Sequence, residues 1–475
     1  MGNNILIDPG IVPFQNIIMY IENLTDLFTV HIINDNPKKN GWNNLDGKAK
    51  FYLYDNLRNN CKSKYAYNKD FNPIELINNI INDHQTLLIY ERVIKQKALE
   101  PTRKLAGWNS LFIGVMEIER IVFNCVSLLE SVDPKFLIFQ ATPHNISSWI
   151  LAKVAEFFNI DVFFIQTSPL PWRYMIVKGL QLQNPIYPVG GNYYCHEDVL
   201  ALKEFININR KSYNEAIPKY EKERFAKRNG QCWSWEKEIS DIIKHPRNIF
   251  RIIPKKHLYD VYTKLSQPIT FGINYITVFL HFQPERTSIP EGGLFSQQLL
   301  IIRLLSSTIP DNWTLLVKEH PSTFMGNFDS RYRNPQFYRE ISEIPRVKIV
   351  PILADTFKLI DASKAIVTIT GTVGIQALIR GIPVIVFGPA SYRNAPGVYT
   401  VTDYKGLKRI IEKIVAFGID FKLEEIDNYL KEVLKNSETA TDSKTVITNN
   451  FYSEQIRLAG NGKILGDFLN SKGLY

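Results

Sequence analysis

Three short stretches put ionisable and hydroxyl side chains directly after apolar runs. In "LLVKEHPSTF" (315–324), Leu315, Leu316 and Val317 are followed by Lys318, Glu319, His320 and Pro321. "LHFQPERTSIPEGGLFSQQ" offers His281, Gln283, Glu285, Thr287 and Ser288, then the pair Gly292-Gly293 ahead of a helical pattern. "TITGTVGIQALIRGIPVIVFG" sets Thr368, Thr370, Gly371 and Thr372 between a buried strand and a helix. The chemistry these types support is anion binding. A lysine supplies a point charge and an imidazole hydrogen-bonds phosphate oxygens. Hydroxyls and the N–H groups of a helix start suit phosphate or carboxylate, and a glycine pair lets backbone approach one. Pro321 fixes its own backbone and holds His320 extended. Taken singly, the glycine pair reads as a plain turn, and the lysine–histidine stretch is an even choice between capped loop and site. Their recurrence at successive strand ends favours the site.

The first half offers a second set. "QATPHNISSW" places His144 at a strand end, with Ser147 as the expected helix N-cap. "QTSPLPWRY" follows the next strand with Ser168, Trp172 and Arg173, and "IYERV" sets Glu91 and Arg92 at a third strand end. A carboxylate or an imidazole there would serve as general base. In isolation a structural histidine is the better reading of His144. The glycine spacing matches neither a Walker A loop nor GxGxxG, and GxSxG, HExxH and DxD patterns are missing.

The elements that must position these residues follow from periodicity. Strands are expected at 4–10, 28–35, 86–93, 135–140 and 161–166, with helices at 116–134 and 147–158. The run 135–166 is a βαβ unit and implies a parallel sheet. Alternation resumes with strands near 274–282, 313–318 and 346–351 and helices at 294–309 and 355–363, and 364–388 reads as strand, glycine loop, helix, turn and strand. Residues 404–475 read as mainly helical with a polar, mobile end. The expected fold is α/β: two Rossmann-like lobes, 1–194 and 269–430, facing a cleft. A basic helical bridge, 195–268, and C-terminal helices and tail, 431–475, complete it. Ligands of such open sheets lie beyond the carboxyl ends of the strands.

Bulk properties bound the class. At 475 residues, two domains are the default. Apolar content of 45% and charged content of 22% are ordinary for a globular protein. The net charge of +9 is concentrated, with fourteen Lys/Arg against seven Asp/Glu between Lys203 and Lys256. A solvated helical face is the plainer explanation, and docking on anionic lipid or anionic glycan the functional one. No nucleic-acid motif accompanies the charge. Cys61, Cys125, Cys195 and Cys232 are too dispersed for a zinc ribbon or a disulfide framework. "MGNNILIDPG" lacks the order of a signal peptide and is a poor myristoylation match, and no apolar run reaches membrane-spanning length. The expectation is a cytoplasmic protein, peripheral on a membrane at most.

"HFQPERTSIPEGGLF", "VKEHP" and "TITGTVGIQALIRGIPVIVFGPASYRNAPGV" resemble the capsule polysaccharide biosynthesis family that includes KpsC- and KpsS-like transferases, and "TPHNISSWILAKVAEFFNI" resembles its N-terminal half. The match covers roughly 270–400, and more weakly 135–175. The resemblance implies a GT-B glycosyltransferase using a nucleotide-sugar, with relatives that use CMP-activated ulosonic acids such as Kdo. It implies a donor site at His320 and Pro321 and at Thr370, Gly371 and Thr372. Where a Glu commonly holds the ribose, this chain has Gln376. The expected donor set is completed by His281, Gln283, Gly292, Gly293, Lys318, Glu319 and Thr368. Catalysis falls to His144, Glu91, Arg92 or Glu285, and Ser168, Trp172 and Arg173 would meet a glycan, glycolipid or glycoprotein acceptor. No metal and no cofactor beyond the nucleotide-sugar co-substrate is expected. A UDP- or GDP-hexose transferase, a CDP-polyol phosphotransferase, a nucleotide-sugar 2-epimerase and a non-catalytic glycan-assembly protein stay open as alternatives.

Overall fold

The structure, a computed structural model, describes residues 4–8, 29–34, 49–59, 72–97, 111–139, 141–181, 185–186, 194, 196–217, 219–228, 230–325 and 332–439. The chain divides into two units, Met1–His196 with Val433–Tyr475, and Glu197–Glu432.

The first unit carries strands β1 (Asn4–Asp8), β2 (Thr29–Asn34), β3 (Ala49–Leu53), β4 (Pro134–Phe139), β5 (Asp161–Thr167), β6 (Arg173–Lys178) and the two-residue β7 (Pro185–Ile186). Its sheet runs β3-β2-β1-β4-β5 in parallel, then adds β6 antiparallel to β5. Third, second, first, fourth, fifth is the Rossmann order. The helix Ile146–Phe157 makes the β4–β5 crossover, and nine of its twelve residues are buried. Its N-cap is Asn145, not Ser147: the Asn145 backbone is extended and its side chain accepts from Ser148 N at 2.9 Å.

One expected strand is a helix. Residues 86–93 lie within the helix His84–Lys97. Asp83 starts it by accepting from both the N–H and the hydroxyl of Thr86, at 2.8 and 2.7 Å. Thr86, Ile89 and Tyr90 are buried while Leu87 is exposed, a three-to-four spacing. A short apolar run such as "TLLIY" does not distinguish the two states by itself. Glu91 and Arg92 therefore do not sit at a strand end, and their side chains lie outside the described residues.

A strand also replaces part of an expected loop. Ser168–Arg173 closes a tight β5–β6 turn, Ser168 N donating to Arg173 O at 2.8 Å and Arg173 N to Leu170 O at 2.9 Å. Arg173 is fully buried. Its guanidinium donates to Leu434 O at 2.9 Å, to Ser437 Oγ at 3.2 Å and to Ser437 O, which brings the C-terminal strand β14 (Glu438–Thr439) against β6. The expected acceptor contact of Arg173 is thus a structural clamp.

The second unit has strands β8 (Tyr275–Phe279), β9 (Thr314–Lys318), β10 (Val347–Ile349), β11 (Ala365–Thr368), β12 (Val384–Val386) and β13 (Val398–Thr400), all parallel, in the order β10-β9-β8-β11-β12-β13. This is again third, second, first, fourth, fifth, sixth. Ile276, Val278, Leu315, Val317, Val367 and Ile385 fill its core against the helices Gln298–Ser306, Pro335–Glu343 and Tyr404–Phe417. The basic stretch supplies helices His196–Lys211, Tyr213–Ala216, Lys219–Ala226, Trp235–Lys244 and Ile249–Leu265. The helical reading of 404–475 holds for Tyr404–Phe417 and Leu423–Lys435, and residues 440–475 lie outside the described residues.

Arg173→Ala should cost roughly 3 kcal/mol, since it strips donors from buried carbonyls of Leu434 and Ser437. Denaturant unfolding with hydrogen exchange at 434–439 checks this. Wild-type protection of that segment in the variant would contradict the clamp.

Candidate functional site

In an open parallel sheet the crevice opens where the strand order reverses. In the second unit that point lies between β8 and β11, with β9 beside β8. The loops leaving these three strands are the polar stretches of the sequence. They surround a cavity of about 250 Å³ lined by His281, Glu285, Lys318, Glu319, His320, Pro321, Thr368, Thr370, Gly371, Thr372 and Gln376, among others.

The loops are tied together from below by one carboxylate. Glu319 is buried at the end of β9. Its Oε2 accepts from Arg333 Nε at 2.8 Å and from the Tyr338 hydroxyl at 2.7 Å. Its Oε1 accepts from His320 N at 2.7 Å and Thr323 Oγ1 at 3.2 Å. Arg333 spends its other donors on the neighbouring loop, on Gln283 Oε1 at 2.6 Å and His281 O at 3.0 Å. Gln283 in turn donates to Ser296 O at 2.9 Å, and Gln298 clasps the His281 backbone, accepting from its N–H at 2.7 Å and donating to its carbonyl at 3.2 Å. Burial, then the Glu319 charge, raise the Tyr338 phenol well above its usual range and keep it a donor. Glu319 and Gln283, expected to touch a ligand, spend side-chain hydrogen bonds on holding the loops around the cavity together, and Glu319 also lines that cavity.

The two histidines are set in opposite tautomers. Thr370 N donates to His281 Nε2 at 3.2 Å, so that nitrogen is an acceptor and the ring proton sits on Nδ1. Thr368 Oγ1 lies 3.0 Å from the same nitrogen and accepts from Gly371 N at 3.2 Å. Burial first, then the charges of His320 and Arg333, lower the His281 pKa to about 3. His281 is a neutral strut for the Thr370–Gly371 loop. In His320, Ser322 N donates to Nδ1 at 3.1 Å, which leaves the ring proton on Nε2. His320 is half-buried at the cavity wall, where Lys318 also lies, donating to Thr356 Oγ1 at 3.2 Å.

The β11 loop needs its glycines for close approach. A Cβ on Gly371 would stand 2.7 Å from Thr368 Oγ1, and one on Gly374 only 2.1 Å from the Tyr392 hydroxyl, which donates to Gly371 O. Thr370 Oγ1 donates to Thr287 O at 2.9 Å and fastens this loop to the one after β8. Thr372 and Val373 begin the next helix, so their N–H groups have no intrahelical acceptor. Gln376 lines the cavity one turn further on.

Not every expected residue joins this cavity. The N–H groups of Gly292 and Gly293 donate to Ser288 O at 3.1 Å and Pro290 O at 2.9 Å, so the pair is spent on a turn and offers nothing to a phosphate. Glu285 is exposed at the rim, the second carboxylate among the described lining residues. In the first unit His144 lies half-buried in the loop after β4, at that sheet's own reversal point beside β1. Ser168 Oγ bonds Leu170 locally and Trp172 is buried. Sequence reasoning missed Tyr213 and Thr356, which also line the cavity, and Arg333 and Tyr338, which hold Glu319. Tyr213 lies inside a stretch read as solvated charge; the aromatic ahead of Pro218 was its signal. Arg333, in "RYRNPQF", carries no motif.

Among the described residues no group of three or more His, Cys, Asp or Glu is placed to hold a metal ion, and no helix is long and apolar enough to cross a membrane.

Residues 289–412 match the family "capsule polysaccharide biosynthesis protein". The matched segment contains the Lys318–Pro321 and Thr368–Gln376 loops, and the loop bearing His281, Gln283 and Glu285 precedes it. No curated protein matches the chain. Among solved structures it is similar to the KpsC beta Kdo 2,7 transferase of Thermosulfurimonas dismutans (11% identity, 74% of this chain and 89% of that one, TM-score 0.30). It is similar also to the KpsC beta Kdo 2,4 transferase of the same organism (11%, 67% and 87%, 0.29). A third is the UDP-GlcNAc 2-epimerase of Methanocaldococcus jannaschii (12%, 91% and 99%, 0.26). Likeness at this level speaks to neither substrate nor reaction.

Two outcomes follow from the network. Glu319→Ala leaves the Arg333 charge buried without its carboxylate and should cost about 3–5 kcal/mol in denaturant unfolding. A loss below about 1 kcal/mol would show that the pair is not the anchor. The depressed pKa of His281 makes the unfolded chain the better proton binder below pH 6.5. Stability from this site should therefore fall as pH drops from about 6.5 towards 3, by up to about 1.4 kcal/mol per pH unit. Comparing that slope with His281→Asn isolates the proton, and equal slopes would refute the assignment.

Proposed function

We propose that the protein is a glycosyltransferase that seats a nucleotide-sugar in the cavity of its second unit and transfers the sugar to a surface-glycan acceptor. The observation that carries this is the meeting of Lys318, His320 and the Thr370–Thr372 loop at the reversal point of a six-stranded Rossmann sheet. The match of 289–412 to a capsule biosynthesis family supports the direction of the reading. A CMP-linked ulosonic acid is the proposed donor, on the strength of the HP and TGT stretches, with Gln376 offering an amide to the ribose in place of a carboxylate.

The chemistry follows from charge. Breaking a glycosyl–phosphate bond leaves negative charge on the departing phosphate, and donors fixed in advance lower that barrier most. Lys318 supplies the cation. His320, its Nδ1 engaged by Ser322 N, aims a Nε2–H donor. The N–H groups of Thr372 and Val373 and the hydroxyl of Thr372 complete the cradle. His281, neutral and buried, adds no charge and fixes the loop's shape. Glu285, at the rim, is the carboxylate placed to take the acceptor's proton. The acceptor would be a glycan, glycolipid or glycoprotein.

The test incubates the full chain with CMP-, CDP-, UDP- and GDP-activated donors and follows nucleotide release with and without glycan acceptor. Acceptor-dependent release from a CMP-sugar is expected, falling roughly 10²-fold or more in His320→Ala. Release that ignores the acceptor would point to an epimerase or hydrolase, and full turnover by His320→Ala would overturn the site.

A further inference from the structure

Helices Trp235–Lys244 and Ile249–Leu265 are joined by the short turn Pro246–Asn248. Their inner sides are well held. Glu238 accepts from Arg228 at 2.8 Å and from Lys255 at 3.2 Å, all three buried, and Ile252 and Leu258 are buried with them. The outer side is where the pair departs from an ordinary solvated hairpin. Trp235, Ile239 and Ile243 recur every fourth residue along one face, at 52%, 50% and 74% exposure. On the second helix Phe250 and Ile253 are 80% and 59% exposed. Lys256 lies 5.9 Å over the Trp235 ring, so the two helices meet along this side. Five large apolar side chains gathered on one hairpin mark an interaction surface rather than a scatter of single exposures.

The charge around the tip names the partner. Residues 242–257 hold five Lys/Arg and no Asp/Glu. Lys255 is drawn inward by Glu238, while Lys244 is exposed next to Ile243. Indole, phenyl and branched aliphatic groups flanked by cations suit the boundary between headgroups and acyl chains of an anionic bilayer. A nucleic acid would take the cations but has no comparable use for exposed isoleucines at the tip.

We propose that this hairpin, through Trp235, Ile239, Ile243, Phe250 and Ile253, docks the second unit on an anionic lipid surface. The surface belongs to the fold and holds whatever the donor or acceptor proves to be. Vesicle co-sedimentation of the full chain tests it, comparing phosphatidylcholine alone with phosphatidylcholine containing phosphatidylglycerol, at low and high salt. Binding should favour the anionic vesicles by roughly tenfold and weaken with salt. The double variant Ile243→Ser with Phe250→Ser should lose roughly tenfold in vesicle binding while keeping its melting temperature and its lipid-free mass by light scattering. Equal binding by variant and wild type, or no preference for the anionic vesicles, would overturn the proposal. So would a lipid-free mass that drops on substitution, since the face would then join two copies of the chain.

Discussion

Glu319 and Arg333 form a buried ion pair from which the site is hung. Burying two charges is costly, and only good geometry and full satisfaction of their remaining lone pairs and protons offset it. Here both conditions are met: the carboxylate also accepts from Tyr338, Thr323 and the His320 backbone, and the guanidinium also donates to Gln283 and the His281 backbone. The pair therefore links the loop after β9 to the loop after β8. The second link, from the β8 loop to the β11 loop, runs through His281 Nε2 to Thr370 N and through Thr287 O to the Thr370 hydroxyl. Three loops from three strands behave as one body because each is bonded to the next.

This arrangement separates two kinds of polar residue. Glu319, Gln283 and His281 are buried and spend their hydrogen bonds on protein. Lys318, His320, Thr370, Thr372 and Gln376 ride on that frame and line the cavity, which His281 and Glu319 also border. The frame also decides tautomers. One backbone N–H on His281 Nε2 and another on His320 Nδ1 give neighbouring imidazoles opposite proton positions.

Much of this was legible in the sequence because strand ends in a doubly wound sheet are few. The stretches at 281, 318 and 370 were found as isolated polar clusters after apolar runs, and the parallel topology brought them to one edge. What escaped was what depends on contacts distant in sequence. Arg333 lies fourteen residues beyond Glu319 and reads as one more surface cation until the fold closes over it. Gly292-Gly293 looked like a phosphate cradle and is a turn whose N–H groups already have acceptors. "TLLIYERV" carries a strand pattern, but its apolar and β-branched residues fit either period, and only the Asp83 cap and the burial of Thr86, Ile89 and Tyr90 settle the helix. Arg173 shows the same limit from the other side, since its partners lie more than 260 residues away.

The same physical reading extends to the basic stretch after the first unit, where buried Glu238 holds two helices whose outer face is apolar and whose tip is cationic. The candidate site and the proposed docking face thus rest on one device, a buried carboxylate that fixes what surrounds it. The central claim is that the cavity beneath the three loops is a nucleotide-sugar phosphate site. A crystal structure with a bound nucleotide tests it most directly. The account predicts phosphate oxygens between His320 Nε2, Lys318 Nζ and the backbone of Thr372, with Glu319 unmoved on Arg333. A nucleotide bound elsewhere on the chain, with this cavity left to solvent, would contradict it.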